Sequence, residues 1–331
     1  KARLVRASCL ARLGRVGDCE AELDLALGAA RAAGDRRRTV AVLGAAPLAA
    51  LWGPSPVARA GGRCLDVLRL LRITTPSPTV EATSIRCQGM LEALRCRDDA
   101  ARAKFETSRA MARELGLRHA LYETELFAGL AELLVGDAIA AEPHLRAAHD
   151  GLGRLGIGAD AGQAAALLAR SLLLQGRVAE ADELATAALD TAGQNLQTAI
   201  AARAVLAEVR ATQGRHDDAR LLVDEALSIV APTDVTLDHA LTLLAAARVA
   251  TAAGNHVEAS RRQTQANELL ASKGVSLRFD AARDPVPAGG HPSDVDSARS
   301  EPSRRFTNTA WEISQLGDEA FARRDADALR S

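Results

Sequence analysis

Apolar and small residues recur through the first 275 residues with a period of about 40, and each period reads as two amphipathic helices joined by a polar turn. The stretch from Gln175 to Ala192 shows the pattern: a Gln-Gly-Arg turn leads into a helix in which Ala181 and Ala188 lie on one face. We use one residue of each turn as the reference residue of its unit. It is a Gly in six units and a Cys in one, and seven units are defined in this way. The reference residues are Gly14, Gly53, Cys96, Gly136, Gly176, Gly214 and Gly254. A period of this length predicts a stacked helical array.

Small residues stand at three fixed positions in each unit. They lie seven before the reference residue in the first helix (helix A), and five and twelve after it in the second (helix B). Helices approach closely only where no large side chain stands at their crossing. We therefore expect helices A and B to touch at the first two positions, and helix B to receive the next helix A at the third. The three sets are Ala7, Ala46, Gly89, Gly129, Ala169, Ala207 and Ala247; Cys19, Ala58, Ala101, Ala141, Ala181, Ala219 and Ala259; and Ala26, Ser108, Ala148, Ala188, Ala226 and Ala266, with Leu65 as the exception.

The composition agrees with helices rather than sheets, since only 2% of residues are aromatic and Ala and Leu dominate. We predict an all-α fold, a right-handed α-solenoid of about seven antiparallel helix pairs over residues 1–275. Pro47, inside the first helix of the second unit, is expected to kink or shorten that helix. An extended loop over residues 73–79 accounts for the longer step to the third unit.

The amino-acid composition changes after the seventh unit. Residues 276–305 are rich in Pro, Gly and charged side chains, which predicts a flexible linker. Residues 306–331 return to helical periodicity, with Ala310, Leu316 and Ala320 on an apolar stripe, and predict a short C-terminal helix. The chain begins with Lys1 and ends inside this last pattern, so we expect it to be a segment of a longer protein.

Charge and cysteine content exclude several classes of protein. The net charge is -1 and the pI about 6.7, without the basic surplus of a nucleic-acid binder. No apolar run reaches the roughly 20 residues that span a bilayer. The five cysteines are scattered and never spaced C-x-x-C, which favours reduced thiols and a cytoplasmic location.

Two motifs suggest chemistry but have structural interpretations. Residues 151–156 satisfy G-x-G-x-x-G, yet a helix rather than a strand is predicted before them, so a helix C-terminus and inter-unit turn is the better interpretation. His144 and His149 lie five apart on a helix and diverge, which indicates solvated surface rather than a metal site. We predict no catalytic residue, no cofactor and no metal, and therefore no enzyme in this segment.

The inner, concave face of the array is the surface on which we expect binding. By the geometry of such repeats helix A lines this face, and counting back from the reference residues gives its polar side chains. The candidate groove contacts are Arg86, Glu123, Gln163, Arg170, Glu208 and Arg248. They are sparse and of mixed sign, and they lack the Lys/Asn cluster with which some repeat domains clamp a peptide carboxylate.

Residues 1–272 resemble the tetratricopeptide repeat, in which a small residue precedes the turn, a Gly marks it and two Ala follow on helix B. The period is near 40 rather than 34, most aromatic positions of that family are empty (Phe105 is a rare filled one), and the Pro that ends each unit is missing. HEAT-type repeats, which also run near 40 residues, remain the alternative.

Longer-period units of this kind are similar to the arrays of large bacterial regulators. Residues 306–331 resemble the truncated start of a SnoaL-like domain, with residues 322–330 similar to the end of its first helix and the following turn. The whole resembles the end of multidomain proteins that carry a cyclase or LuxR-type DNA-binding domain, then a STAND-type ATPase, then repeats. That resemblance implies a non-catalytic scaffold or sensor segment of a cytosolic signalling or transcriptional regulator. Its partners would be the ATPase and output domains of the parent chain, or a protein or peptide. The alternative is a stand-alone adaptor that binds a peptide or partner helix in its groove.

Overall fold

The computed structural model describes residues 1–74, 76–193 and 195–276, and this part of the chain folds into fourteen α-helices without a strand. The helices are α1 (Ala2–Arg12), α2 (Val16–Ala32), α3 (Arg36–Trp52), α4 (Val57–Ile73), α5 (Pro78–Ala93), α6 (Asp98–Glu114), α7 (Arg118–Leu134), α8 (Ala138–Arg154), α9 (Gly158–Leu174), α10 (Val178–Thr191), α11 (Leu196–Thr212), α12 (His216–Val230), α13 (Thr236–Ala252) and α14 (His256–Lys273). The predicted linker beyond residue 276 and the predicted C-terminal helix lie outside the described residues.

The helices form seven antiparallel A/B pairs, which confirms the predicted α-solenoid. Each odd-numbered helix is a helix A and packs against the helix B that follows it. From α3 onward each helix A also packs against the helix A of the next unit, so the A helices form one continuous layer. The B helices form the outer layer. Polar side chains that bridge one helix A to the next therefore lie on the inner side of the array.

In six of the seven units, the turn between helix A and helix B is set by a residue in the left-handed region. Gly14, Gly136, Gly176, Gly214 and Gly254 have φ between 71° and 84°, and Cys96 takes the same conformation at 59°. Glycine adopts this conformation without the steric penalty of a Cβ, and so it ends the helix and reverses the chain. The reference residues were therefore identified correctly in six units.

The second unit departs from the predicted register. Gly53 has φ -74°, and its helix B begins at Val57, four residues after the reference residue rather than two. The small residue at the crossing is consequently Ala60, which is fully buried, and the predicted Ala58 is exposed. The same shift leaves Leu65 48% exposed and explains why a large residue is tolerated there.

In the other units the small positions lie at the helix crossings as predicted. Ala169, Ala207 and Ala247 have no exposed surface. At Gly89 an added Cβ would lie 2.8 Å from the Phe105 ring, and at Gly129 it would lie 2.5 Å from Leu145. These distances are shorter than van der Waals contact, so the backbones approach to the limit that the missing side chains allow.

The expectation that Pro47 shortens its helix was wrong. Helix α3 continues through Pro47 to Trp52 and has 17 residues, the same length as most of its neighbours. Only one backbone hydrogen bond is lost at a proline within a helix. The burial of every residue from Val42 to Trp52 outweighs that loss.

The first unit of the array meets the sixth. Asp234, in the loop between α12 and α13, accepts hydrogen bonds from the backbone N–H groups of Val16 (2.6 Å) and Gly17 (2.8 Å) at the start of α2. The Asp234 N–H donates to the Gly14 carbonyl (3.0 Å). A Cβ on Gly14 would lie 2.6 Å from Thr233, so no larger residue fits at this contact.

The second and third units are held by the last helix. Lys273 is 1% exposed, and its Nζ donates to the backbone carbonyls of Gly53 (2.5 Å) and Ser55 (3.1 Å). The Ser276 N–H donates to the Leu94 carbonyl (2.9 Å). Together with the Asp234 bonds, these closing contacts seat the turns of the first three units on the far end of the array.

Candidate functional site on the inner face

The structure buries all six predicted groove residues, each with at most 4% of its surface exposed. It brings five of them together in two groups. Arg86 on α5 pairs with Glu123 on α7, and Arg170, Glu208 and Arg248 join α9, α11 and α13. Gln163 is buried on α9, two turns before Arg170. These six residues define the inner-face site below.

Arg170, Glu208 and Arg248 form a ladder of ion pairs across three units. Each stands six residues before the reference residue of its unit, so the repeat places them in register. Arg248 binds Glu208 through Nε (2.8 Å) and Nη2 (2.8 Å), and Arg170 binds the same carboxylate through Nη1. Burial favours the neutral carboxyl, but the two guanidinium groups outweigh it and lower the pKa of Glu208. The ladder therefore holds two cations and one anion.

The second group is centred on Glu123. Its carboxylate binds Arg86 Nη2 and lies 3.7 Å from His119 Nδ1, and His119 Nε2 lies 3.6 Å from Asp160 Oδ2. Burial alone would lower the pKa of His119, but Glu123 and Asp160 outweigh it and raise that pKa. Burial raises the pKa of Asp160 to about 6. The second group therefore alternates basic side chains and carboxyl groups along α5, α7 and α9.

Sequence reasoning missed two aromatic residues beside this group. Phe127 on α7 packs under the guanidinium of Arg86, with 5.3 Å from Cζ to the ring centroid, a cation–π geometry. Trp52, the last residue of α3, meets Phe127 edge-on with ring centroids 5.8 Å apart. Both rings are 1% exposed. Trp52 immediately precedes a reference residue, and that position could have drawn attention to it.

A buried acid also escaped prediction. Asp238 on α13 is 1% exposed, and its Oδ2 accepts from Gln197 Nε2 on α11 (3.1 Å). Burial raises the pKa of Asp238 well above its ordinary value. Asp238 and Asp160 both stand sixteen residues before a reference residue, which is the sequence signal that relates them.

The motif interpretations are confirmed for the glycines and wrong for the histidines. Helix α8 contains Gly151 and Gly153 and ends at Arg154, and Gly156 has φ 75° in the following turn. The histidines of that helix are half-buried rather than solvated. His144 Nδ1 bonds Glu125 (2.6 Å) and His149 Nδ1 bonds the Ala161 carbonyl (3.0 Å), because helix B packs against both neighbouring A helices.

Among the described residues no three His, Cys, Asp or Glu side chains are placed to hold a metal ion. The five cysteines are free, and burial raises the pKa of Cys19 and of Cys64 to about 12, so these two remain thiols. None of the described helices combines the length and hydropathy needed to cross a membrane.

A pocket of about 440 Å³ lies outside the inner face, between the sixth and seventh units. At the corresponding place between the third and fourth units, Arg102 binds Glu132 through two bonds of 2.8 Å and 2.7 Å. Arg220 and Ala250 occupy the corresponding positions here, so this pair is missing. The charged residues around the pocket are Asp217, Arg220, Asp224, Glu258 and Arg262. This rim of both signs favours no particular ligand charge.

The chain matches no family model and no curated protein. Its fold is similar to several solved structures, two of which are described here. One is a Rap protein complexed with competence and sporulation factor, at TM-score 0.58 and 11% identity, with 82% of this chain and 76% of that chain covered. The other is NprR in complex with its cognate peptide NprX, at TM-score 0.50 and 15% identity, covering 66% and 64%. At these identities the likeness shows a shared tetratricopeptide-like fold.

Proposed function

We propose that this chain is a non-catalytic helical-repeat segment that binds a peptide, or an extended segment of a partner protein, on its inner face. The observation that carries the proposal is the buried ladder of Arg170, Glu208 and Arg248. Buried ion pairs contribute little net stability compared with apolar packing. A ladder of two cations and one anion facing the interior is therefore better explained by recognition than by stability. The two structural neighbours were solved with competence and sporulation factor and with the peptide NprX, which favours the same class of ligand.

We also propose that the segment acts as a sensor within a larger cytosolic regulator, in which peptide binding changes contacts with other domains. The closing contacts support this reading. The inner-face residues are buried, and Asp234 and Lys273 join the first units to the last. A ligand reaches the inner face when those contacts part, so binding is coupled to the relative position of the two ends. A stand-alone adaptor would use the same face without that coupling.

The experiment is a selection of twelve-residue peptides from a random display library on the full chain. Synthetic copies of the enriched peptides are then titrated against the parent and against Arg248→Gln by calorimetry. Arg113→Gln, on the exposed side of α6, is the matched control. We expect Arg248→Gln to weaken binding at least tenfold and Arg113→Gln to leave it unchanged. A library without enriched peptides, or peptides that bind both variants equally, contradicts the proposal.

A further inference from the structure

Three buried nitrogen donors near Phe127 have no hydrogen-bond partner among the described residues. They are Trp52 Nε1, Arg86 Nε and Arg86 Nη1. Arg86 is fully buried and Trp52 is 1% exposed. A buried donor that has left water without finding an acceptor destabilises the fold. Native proteins retain such groups where they serve another purpose.

The three donors belong to side chains that pack against the same ring although they come from different units. The Arg86 guanidinium lies 5.3 Å from the Phe127 centroid, and the Trp52 ring lies 5.8 Å from the same point. Phe127 thus holds both side chains in place through contacts that leave their N–H groups unused. Only Arg86 Nη2 is engaged, by Glu123.

The chemistry of the missing partner follows from the donors and from the charges. All three atoms donate, so the partner must supply acceptor oxygens. The charge of Arg86 is already matched by Glu123, and a further anion would enter a fully buried site beside that carboxylate at a large desolvation cost. A neutral acceptor avoids this cost. Peptide backbone presents such an acceptor, its carbonyl oxygen, at every residue.

We infer that Trp52 and Arg86 donate hydrogen bonds to acceptor oxygens of the bound peptide, in the first place its main-chain carbonyls. This inference rests on the proposed function and assigns a second part of the inner face to the ligand. The arginine ladder lies on the fifth to seventh units, whereas Trp52 and Arg86 lie on the second and third. A peptide that contacts both therefore spans most of the array.

The test uses two conservative substitutions. Trp52→Phe removes one N–H and keeps an aromatic ring against Phe127. Arg86→Lys keeps a cation for Glu123 and removes both unused donors. Trp52 is 1% exposed, so the smaller ring leaves a cavity and should lower the melting temperature. Binding is therefore measured at a temperature at which the parent and both variants are folded. Both variants should bind the synthetic selected peptide at least fivefold more weakly.

Arg109→Lys is the matched control, since Arg109 is a buried arginine on α6 and each of its three guanidinium nitrogens donates to Glu125 or Glu106. It should lower the melting temperature and leave peptide affinity unchanged. Peptides with an amidated C-terminus, and with each acid replaced by its amide, separate the two sources of oxygen. Retained affinity for these peptides, together with the loss in Trp52→Phe and Arg86→Lys, assigns the acceptors to the main chain. If the amidated peptides bind Trp52→Phe and Arg86→Lys as well as they bind the parent, the acceptors are carboxylates and the main-chain assignment is wrong.

The results separate the two proposals. A peptide weakened by Arg248→Gln but bound normally by Trp52→Phe and Arg86→Lys overturns this inference and leaves the proposed function standing. A selection that enriches no peptide overturns both.

Discussion

Asp234 and Val16 are separated by 218 positions in the chain and joined by a hydrogen bond of 2.6 Å from the Val16 N–H to the Asp234 carboxylate. Val16 is the first residue of α2, where backbone N–H groups lack partners within the helix. Arg15, the residue at the local cap position, makes no side-chain capping bond. Asp234 therefore caps the N-terminus of α2. In most helices this role is filled by a Ser or Asp next to the helix in the sequence, whereas Asp234 follows the sixth unit.

Asp234→Ala should destabilise the protein by about 0.5–2 kcal/mol, the range measured for loss of a helix cap. The N–H groups of Val16 and Gly17 should lose protection from hydrogen exchange, while those of α9 should change little. The measurement is a denaturant melt combined with exchange mass spectrometry. Asp18→Ala, in the exposed first turn of the same helix, is the control and should have a smaller effect. Equal losses from the two variants would show that the long-range bond is unimportant.

The stability of the closing contacts should depend on pH through Lys273. Burial lowers the pKa of Lys273 to about 8, whereas an unfolded lysine titrates near 10.4. Between these values the unfolded chain binds more protons than the folded one, so the free energy of unfolding should rise with pH from about 8 to about 10. In Lys273→Met this rise should disappear. Urea melts of both proteins at intervals across that range measure the difference. Parallel pH profiles for the two proteins would contradict the low pKa.

The helix crossings give a matched pair of substitutions. Ala181→Leu and Ala219→Leu place a large side chain at fully buried crossings, and each should cost about 1–3 kcal/mol through overpacking. Ala58→Leu is the control, because the shifted register of the second unit leaves Ala58 exposed. In thermal melts, Ala181→Leu and Ala219→Leu should have lower melting temperatures than the parent, and Ala58→Leu should melt near the parent. A loss at Ala58 comparable to the others would mean that the shift of register is wrong.

The pocket between the sixth and seventh units should close when the missing ion pair is restored. Ala250→Glu places a carboxylate where Glu132 stands in the fourth unit, opposite Arg220 instead of Arg102. The gain should be small, at most about 1 kcal/mol, since pairs near the surface are screened by solvent. A double-mutant cycle with Arg220→Gln isolates the interaction. A coupling energy of zero would show that the two positions are not equivalent to Arg102 and Glu132.

The sequence predicted the helix pairs because they depend on contacts that repeat every 40 residues or so, at Ala181 as at Ala219. It did not predict the register of the second unit. The two additional residues after Gly53 have ordinary turn composition, and Ala58 and Ala60 are equally small. A local pattern cannot choose between them without the neighbouring helices.

For the inner-face site, the sequence identified positions but not partners. Arg170, Glu208 and Arg248 share one place in the repeat, which puts them on the same face. Which side chains meet depends on the tilt between successive units, and that tilt is a property of the whole array. Trp52 was missed for a related reason, since its unused N–H becomes visible only when its neighbours are known.

The ladder of Arg170, Glu208 and Arg248 also limits how this protein can evolve. The charge of the ladder residue alternates between successive units. Loss of the sixth unit would therefore place the guanidinium groups of Arg170 and Arg248 next to each other in a buried site. Duplication of the fifth unit would do the same. Repeat arrays usually gain or lose single units without such a penalty. In this array a unit can be gained or lost only if the charge on the neighbouring unit changes as well.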